Sequence, residues 1–239
     1  AVIFTNNDDA YRTALALHEA GVKVNAVIDT RQVPDGDLPN KVIATGIEII
    51  DNATITGVSG GRYVKSVEVM TLNVAADGVT GAARTITCDL VASSGGWNPV
   101  IHLHSHSGGK AKFDQERGIF IASETQQASE CIGAANGNFL LAECLNEGFR
   151  AGHNAATKVG FKKTTRRKVP TAEIIEERPH RLIWALPTTT PIGERGKHFL
   201  DLQHDVTAAD VQLAAREGYV SVEHTKRYTT LGMATDQGK

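Results

Sequence analysis

Asp29 closes an apolar run at residues 22–28, which follows a polar turn (Thr5, Asn6, Asn7, Asp8, Asp9) and an Ala/Leu-rich stretch reaching Ala20. An acid at the end of the second strand of a β-α-β unit is where the ribose hydroxyls of a dinucleotide are bound. Asp29 lies roughly 20 residues beyond the turn, the separation that chemistry uses. The turn itself departs from the pattern. A pyrophosphate needs bare main chain at a G-x-G-x-x-G turn, and at residues 5–10 it would instead meet asparagine side chains and two carboxylates. The expectation is a nucleotide-type unit that has lost its ligand at this turn. His102, His104 and His106 alternate, which on a strand would put three imidazoles on one face, a spacing able to hold zinc or copper. With no fourth ligand adjacent in sequence, an exposed or interface row is expected and no metal site. Cys131 and Cys144 have no histidine base at motif spacing and sit in apolar context, which argues against a nucleophile. Trp97, beside Gly95, Gly96 and Pro99, is read as a buried anchor in preference to a ring stacked on a ligand. Lys226 and Arg227 read as a solvated or subunit-contact face.

The elements that must position these groups begin with a strand at residues 1–4, a helix to Ala20 and a strand at 22–28, a β-α-β unit that makes a parallel sheet. Asp8 and Asp9 suit the helix dipole and Gly21 stops the helix. An apolar segment at 42–50 precedes strand-like stretches at 53–58, 62–72 and 84–92, divided by turn signals at 59–61 and 77–78, which predict an antiparallel meander beside the sheet. A basic run at 162–168 and four prolines (Pro170, Pro179, Pro187, Pro191) mark a linker. Two helical patterns follow, at 208–217 and 221–228, the first capped by Thr207 with Asp210 and ended by Gly218.

With 239 residues, 41% of them hydrophobic and 22% charged, the chain belongs to the globular class and has length for one or two domains. A formal net charge of -2 leaves no basic surplus for nucleic acid, and no apolar run reaches the roughly 18 residues of a membrane span. Three widely spaced cysteines, Cys88, Cys131 and Cys144, read as reduced core residues in a cytoplasmic setting. The chain opens directly into an apolar strand without an initiator methionine and stops in a turn-like stretch, so residues are expected beyond both ends.

Three segments in order, TCDLVASSGGWNP at 87–99, GIFI at 118–121 and CIGAANG at 131–137 running into a helix to Gly152, resemble the closing half of the two-dinucleotide-domain flavoprotein and disulfide-reductase superfamily. The order carries more weight than any one motif. The segments KHFLDLQHDV at 197–206 and SVEHTKRYTTLGMATDQGK at 221–239 resemble the junction of the heterotetrameric sarcosine oxidase alpha subunit, ahead of a folate-binding domain. Together with SGGWNPVIHLH at 94–104, the resemblance covers the chain. The same helical unit resembles a two-iron, two-sulfur module of opine oxidases, but Asp201, Gln203 and Asp236 stand where that module has cysteines. Carboxylate and amide oxygen do not replace thiolate on such a cluster.

The resemblance implies an α/β chain, part of a two-dinucleotide-binding-domain flavoprotein/disulfide-reductase-like fold with a small C-terminal α-helical domain. It divides the chain into an inserted nucleotide-binding-like domain at 1–92, a return segment at 93–160, a linker at 161–196 and a helical domain at 197–239. It also implies NAD in the complete alpha subunit, FAD and FMN in the complete complex, and beta, gamma and delta subunits as partners. No tightly bound cofactor and no activity are expected of this piece alone, which lacks the glycine loop and the folate domain. Its contribution would be one wall of the NAD site. Gly133, Ala134, Ala135, Asn136 and Gly137 form a strand-to-helix turn whose small residues and main-chain amides let a ribose or pyrophosphate approach, with Phe139 and Leu141 flanking it and the helix opening at Asn138. Small residues needed only for tight packing are the alternative at that turn. A scaffold or interaction module, and a subunit of an opine or related amine dehydrogenase, are the alternatives for the whole chain.

Overall fold

The computed structural model describes residues 1–32, 34–161, 168–194 and 196–235. The basic run predicted at 162–168 falls, except for Lys168, outside the described residues, and so does Asp236. Two compact units emerge, one built from Ala1–Thr5, Ala10–Ser94 and Ile183–Lys239, the other from Asn6–Asp9 and Gly95–Leu182.

The first unit starts with β1 (Val2–Thr5), α1 (Asp9–Glu19) and β2 (Ala26–Asp29), with β1 and β2 paired in parallel from Val2 opposite Ala26 to Thr5 opposite Asp29. Apolar side chains on both faces explain why these strands read as unbroken hydrophobic runs. Val2, Ala26 and Ile28 join one buried cluster, and the intervening Ile3 and Val27 join another, so the two-residue period of the strand sorts each chain between two cores. Helix α1 buries Ala10, Tyr11 and Ala14 on one side. It ends where Gly21, at φ +81°, donates to His18 O while Val22 donates to Leu17 O, the paired closure that a left-handed glycine permits.

The apolar stretch at 42–50 is two elements rather than one. Helix α2 (Asp37–Ala44) and strand β3 (Glu48–Ile50) share it, separated by Gly46 at φ +85°. Pro39 masks the helix in a sequence reading, yet within the first turn its missing N–H has no intrahelical acceptor to lose. The meander is β4 (Ala53–Gly60), β5 (Val64–Leu72) and β6 (Val79–Thr87), all antiparallel. The stretch expected as a strand at 84–92 also breaks in two, because the chain leaves β6 at Thr87 and enters β7 (Val91–Ser94), which pairs in parallel with β1. The parallel sheet therefore has the order β3-β2-β1-β7. Val67, Val69 and Ile86 of the meander cover one face of it, against Val2, Ala26 and Ile28. Helices α1 and α2 supply Ala10, Tyr11, Ala14 and Val42 to the opposite face.

In the second unit a short helix α3 (His102–His106) precedes the hairpin of β8 (Ala111–Asp114) and β9 (Ile119–Ala122). A single 3-10 turn at Gly133–Asn136 then leads to the long helix α4 (Leu141–Lys158). The C-terminal elements, which group with the first unit, are the hairpin β10 (Phe199–Asp201) and β11 (Val206–Thr207), then α5 (Ala208–Arg216) and α6 (Val222–Thr229). Thr207 and Asp210 form a full capping box on α5, the hydroxyl accepting from Asp210 N while the Asp210 carboxylate accepts from Thr207 N at 2.8 Å. That bonding, the Thr207 hydroxyl first, holds the Asp210 carboxyl below the usual carboxylate range. Among the described residues no helix is long and apolar enough to cross a membrane.

Candidate functional site

The turn after β1 is closed by its own polar side chains. Asn7 and Asp8 are buried. Asn7 Oδ1 accepts the main-chain N–H of Asp9 at 3.0 Å, the local bond that lets an asparagine start a helix. Asp9 accepts from the indole N–H of Trp97, and Asp8 Oδ2 accepts from the main-chain N–H of Arg178 at 2.9 Å. Trp97 is therefore no buried anchor. The residue is 60% exposed and its indole N–H is what holds it. Two glycines precede it, one of them Gly96 at φ +102°, in the left-handed region.

Asp29 ends β2 with no exposed surface. Its Oδ2 accepts from the Tyr11 hydroxyl at 2.7 Å and from Arg31 Nη2 at 2.8 Å, and its Oδ1 accepts from Arg31 N at 2.8 Å and Nε at 3.1 Å. Burial, reinforced by the Asp29 carboxylate, pushes the Tyr11 phenol far above its ordinary range, so Tyr11 remains a proton donor at all working pH. The acid in the ribose-binding position of the sequence is thus bonded to the protein itself. Tyr11 and Arg31 escaped the sequence reading. The available signals were an arginine two residues after the acid and a tyrosine on the buried face of a helix otherwise faced with alanine.

Gly133, Ala134, Ala135 and Asn136 form the 3-10 turn and Gly137 follows it at φ +84°. Helix α4 does not open at Asn138 as predicted. It opens at Leu141, because the left-handed Gly137 and the extended Leu140 break helical geometry before it. The free N–H groups of the helix therefore belong to the residues after Leu140 rather than to the small-residue turn. What braces the turn is Glu147, on the second helical turn of α4, whose Oε2 accepts from Gly133 N at 2.7 Å and whose Oε1 accepts from the Asn138 side chain. Arg117 Nη1 donates to Gly137 O at 2.8 Å, and the Cys144 thiol lies 3.0 Å from Asn138 O.

Both glycines have internal reasons to be glycine. A Cβ on Gly133 would meet Cys144 Sγ at 3.2 Å, and one on Gly137 would meet Ile119 Cδ1 at 2.9 Å. The other residues look outward. Ala134 and Phe139 are exposed, Leu141 is 64% exposed, and Ala135 and Asn136 are half-buried. The turn thus has an inner edge of glycines fitted to the protein and an outer edge of methyls, an amide and two apolar side chains. Such an edge can lie against a flat ribose or adenine face. It has no group fit to transfer a proton or attack a carbon.

The histidine row is corrected by the structure. His102, His104 and His106 lie on one turn of helix α3, where residues two apart point about 200° from each other instead of sharing a face. His104 is buried with Nε2 2.9 Å from Lys110 O. The strand reading failed because alternation with Leu103 and Ser105 has the period of a strand, while Ser105 N to Ile101 O and Ser107 N to Leu103 O close helical turns. Cys88 is buried, Cys131 and Cys144 half-buried, and all three are free thiols. Among the described residues no group of three or more His, Cys, Asp or Glu side chains is placed to hold a metal ion.

In the C-terminal unit Asp201 is buried at the end of β10 and gathers three main-chain donors, Gln203 N at 2.9 Å, His204 N at 3.0 Å and Gly232 N at 2.9 Å. These bonds, that of His204 first and Gly232 next, hold its carboxyl below the usual range. Gln203 Oε1 accepts from Thr235 Oγ1 at 3.1 Å. Two of the three positions at which the sequence departs from an iron–sulfur pattern, Asp201 and Gln203, thus tie the 201–204 loop to the 232–235 turn through hydrogen bonds. Lys226 and Arg227 lie in the last turn of α6, where Arg227 pairs with Glu223 at 3.7 Å.

Residues 195–239 match the family model described as "Sarcosine oxidase A3 domain". Along its full length the chain is similar to curated proteins named "Sarcosine oxidase subunit alpha". The one from Rhizobium meliloti (strain 1021) is 36% identical over 239 residues, 99% of this chain and 22% of that protein. The one from Corynebacterium sp. (strain P-1) is 32% identical over 242 residues, 100% of this chain and 24% of that protein. The chain therefore spans less than a quarter of the length of these relatives. Among solved structures, an L-proline dehydrogenase from P. horikoshii covers 99% of the chain with a TM-score of 0.58 at 18% identity, the chain covering 46% of it, a likeness of fold. The mixed α/β fold expected from the motif order is shared with that structure, and the likeness to the sarcosine oxidase alpha subunit extends from end to end of the chain.

Proposed function

We propose that this chain, whose whole length resembles one segment of the sarcosine oxidase alpha subunit, serves as the nucleotide-wall and subunit-joining segment of such an oxidase. The observation that carries the reading is the similarity itself, 36% identity across 239 residues and 99% of the chain. In that assembly sarcosine is oxidatively demethylated at a flavin on the beta subunit, the one-carbon unit passes to tetrahydrofolate, and oxygen leaves as peroxide. The gamma and delta subunits complete the heterotetramer, and the setting is cytoplasmic. FAD and FMN belong to other parts of the complex, and NAD to the complete alpha subunit. The domain limits 1–92, 93–160, 161–196 and 197–239 describe this segment's parts within it.

The chain supplies no catalytic group to this chemistry. Its residues Gly133, Ala134, Ala135, Asn136 and Gly137, with Phe139 and Leu141, form one wall against NAD. The exposed Ala134 and the half-buried Asn136 support this, since they leave a shallow polar-edged surface that no bulky side chain of the turn obstructs. The bond from Gly133 N to Glu147 argues that the wall offers contact and shape more than donors to phosphate.

Ala134→Leu in the full-length protein is the test. The outward methyl carries no load in the turn, so the variant folds, and the added isobutyl group displaces dinucleotide. Dinucleotide content per folded protein, measured after release by acid and chromatography, falls to a small fraction of the wild-type value. A fully loaded, folded variant would overturn the reading and leave packing as the reason for the small residues.

A further inference from the structure

We propose that the turn after β1 is a peptide clamp whose ligand is the chain's own segment at residues 178–181, and that Asp8 is the residue that selects it. A dinucleotide turn points main-chain N–H donors at an anion. Here the polarity is reversed, because the turn presents a carboxylate and receives a donor, Arg178 N on Asp8 Oδ2 at 2.9 Å. Three residues on, the turn holds both main-chain groups of one residue of the segment. Arg181 N donates to Asn6 O at 3.3 Å and the Asn6 side-chain Nδ2 donates to Arg181 O at 3.1 Å. Asn7 Nδ2 donates to Asn6 Oδ1 at 2.9 Å and so holds the Asn6 amide in the orientation that reaches Arg181.

Three further features favour this docking. Gly96, at φ +102°, lies so close to His180 that a Cβ there would sit 3.2 Å from Nδ1, so the glycine makes room for the segment. The segment carries Arg178 and Arg181 to a turn that carries Asp8 and Asp9, a match of charge that a pyrophosphate would reverse. Pro179 fixes one φ of the segment and lowers the entropy lost when it docks. A nucleoside diphosphate could enter only by expelling the segment and facing both carboxylates. The clamp explains why this turn has asparagine and aspartate where a nucleotide-binding turn has glycine. It stands independently of the Ala134 wall.

The bond after Arg181 reports on the clamp, since trypsin cuts it and spares the bond between Arg178 and Pro179. In the full-length protein, two variants open the clamp from opposite sides. Asp8→Ala removes the acceptor, and Arg178→Pro removes the N–H and the guanidinium while changing no residue of the turn or of helix α1, which keeps the test valid should Asp8→Ala disturb the helix. Cleavage after Arg181 rises about tenfold or more in both, as follows from losing a hydrogen bond to a charged acceptor when cutting tracks the open population. Saturating NAD+ leaves the wild-type cutting rate unchanged. Equal cutting in Arg178→Pro and wild type, or NAD+ that accelerates cutting of the wild type, would overturn the proposal.

Discussion

Two turns that lead into helices, at residues 5–9 and 133–137, have opposite contents, and only the first follows a strand directly, since β9 ends at Ala122, well before the second. The first holds two asparagines and two aspartates, which consume its donors and reach outward for N–H groups of the chain. The second holds two glycines, two alanines and one asparagine, and it is braced by Glu147 on Gly133 N and Arg117 on Gly137 O while Ala134 on its outer edge stays exposed. The difference teaches that a turn leading into a helix is not by itself a nucleotide site. Side chains at the turn decide whether the main chain is open to a phosphate or already committed to protein.

Asp29 offers the largest effect by which to break this comparison. Replacing it with alanine strands the Arg31 guanidinium and the Tyr11 hydroxyl in the core beside an empty space, which costs about 3–5 kcal/mol of stability by the rule for broken buried ion pairs. Denaturant unfolding measures that loss. In the full-length protein the dinucleotide content per folded molecule stays at the wild-type level, because the acid serves the core. A drop in content with folding intact would mean that the first region still binds a ribose.

A smaller effect is expected in the second region. Glu147→Ala removes the acceptor for Gly133 N and for the Asn138 amide, at a cost of about 2 kcal/mol. Hydrogen exchange at the Gly133 amide speeds accordingly, while exchange at Asp9, bonded to Asn7, does not change. Should Gly133 keep its protection, the glutamate brace is not what shapes the turn.

Much of this was legible in the amino acids. The strand-helix-strand opening follows from apolar runs broken by Gly21, and the Thr207–Asp210 box could be read residue by residue, since capping depends on neighbours three positions apart. What escaped depended on longer range or on overlapping periods. Alternation in HLHSH mimics a strand, yet five residues with no partner strand close helical turns instead. The fates of Asp8 and Asp29 turn on Arg178, 170 residues away, and on Tyr11, on a different element, and neither distance leaves a local pattern. The small-residue turn itself was visible at 133–137, but its brace at Glu147 was not, because a glutamate on a helix reads as solvated until the preceding loop folds back on it.

The most direct test of the contrast is hydrogen–deuterium exchange on the full-length protein with and without NAD+. The account predicts slower exchange across residues 133–141 when the dinucleotide is present and no change across residues 5–9. Protection of residues 5–9, with 133–141 unaffected, would contradict it.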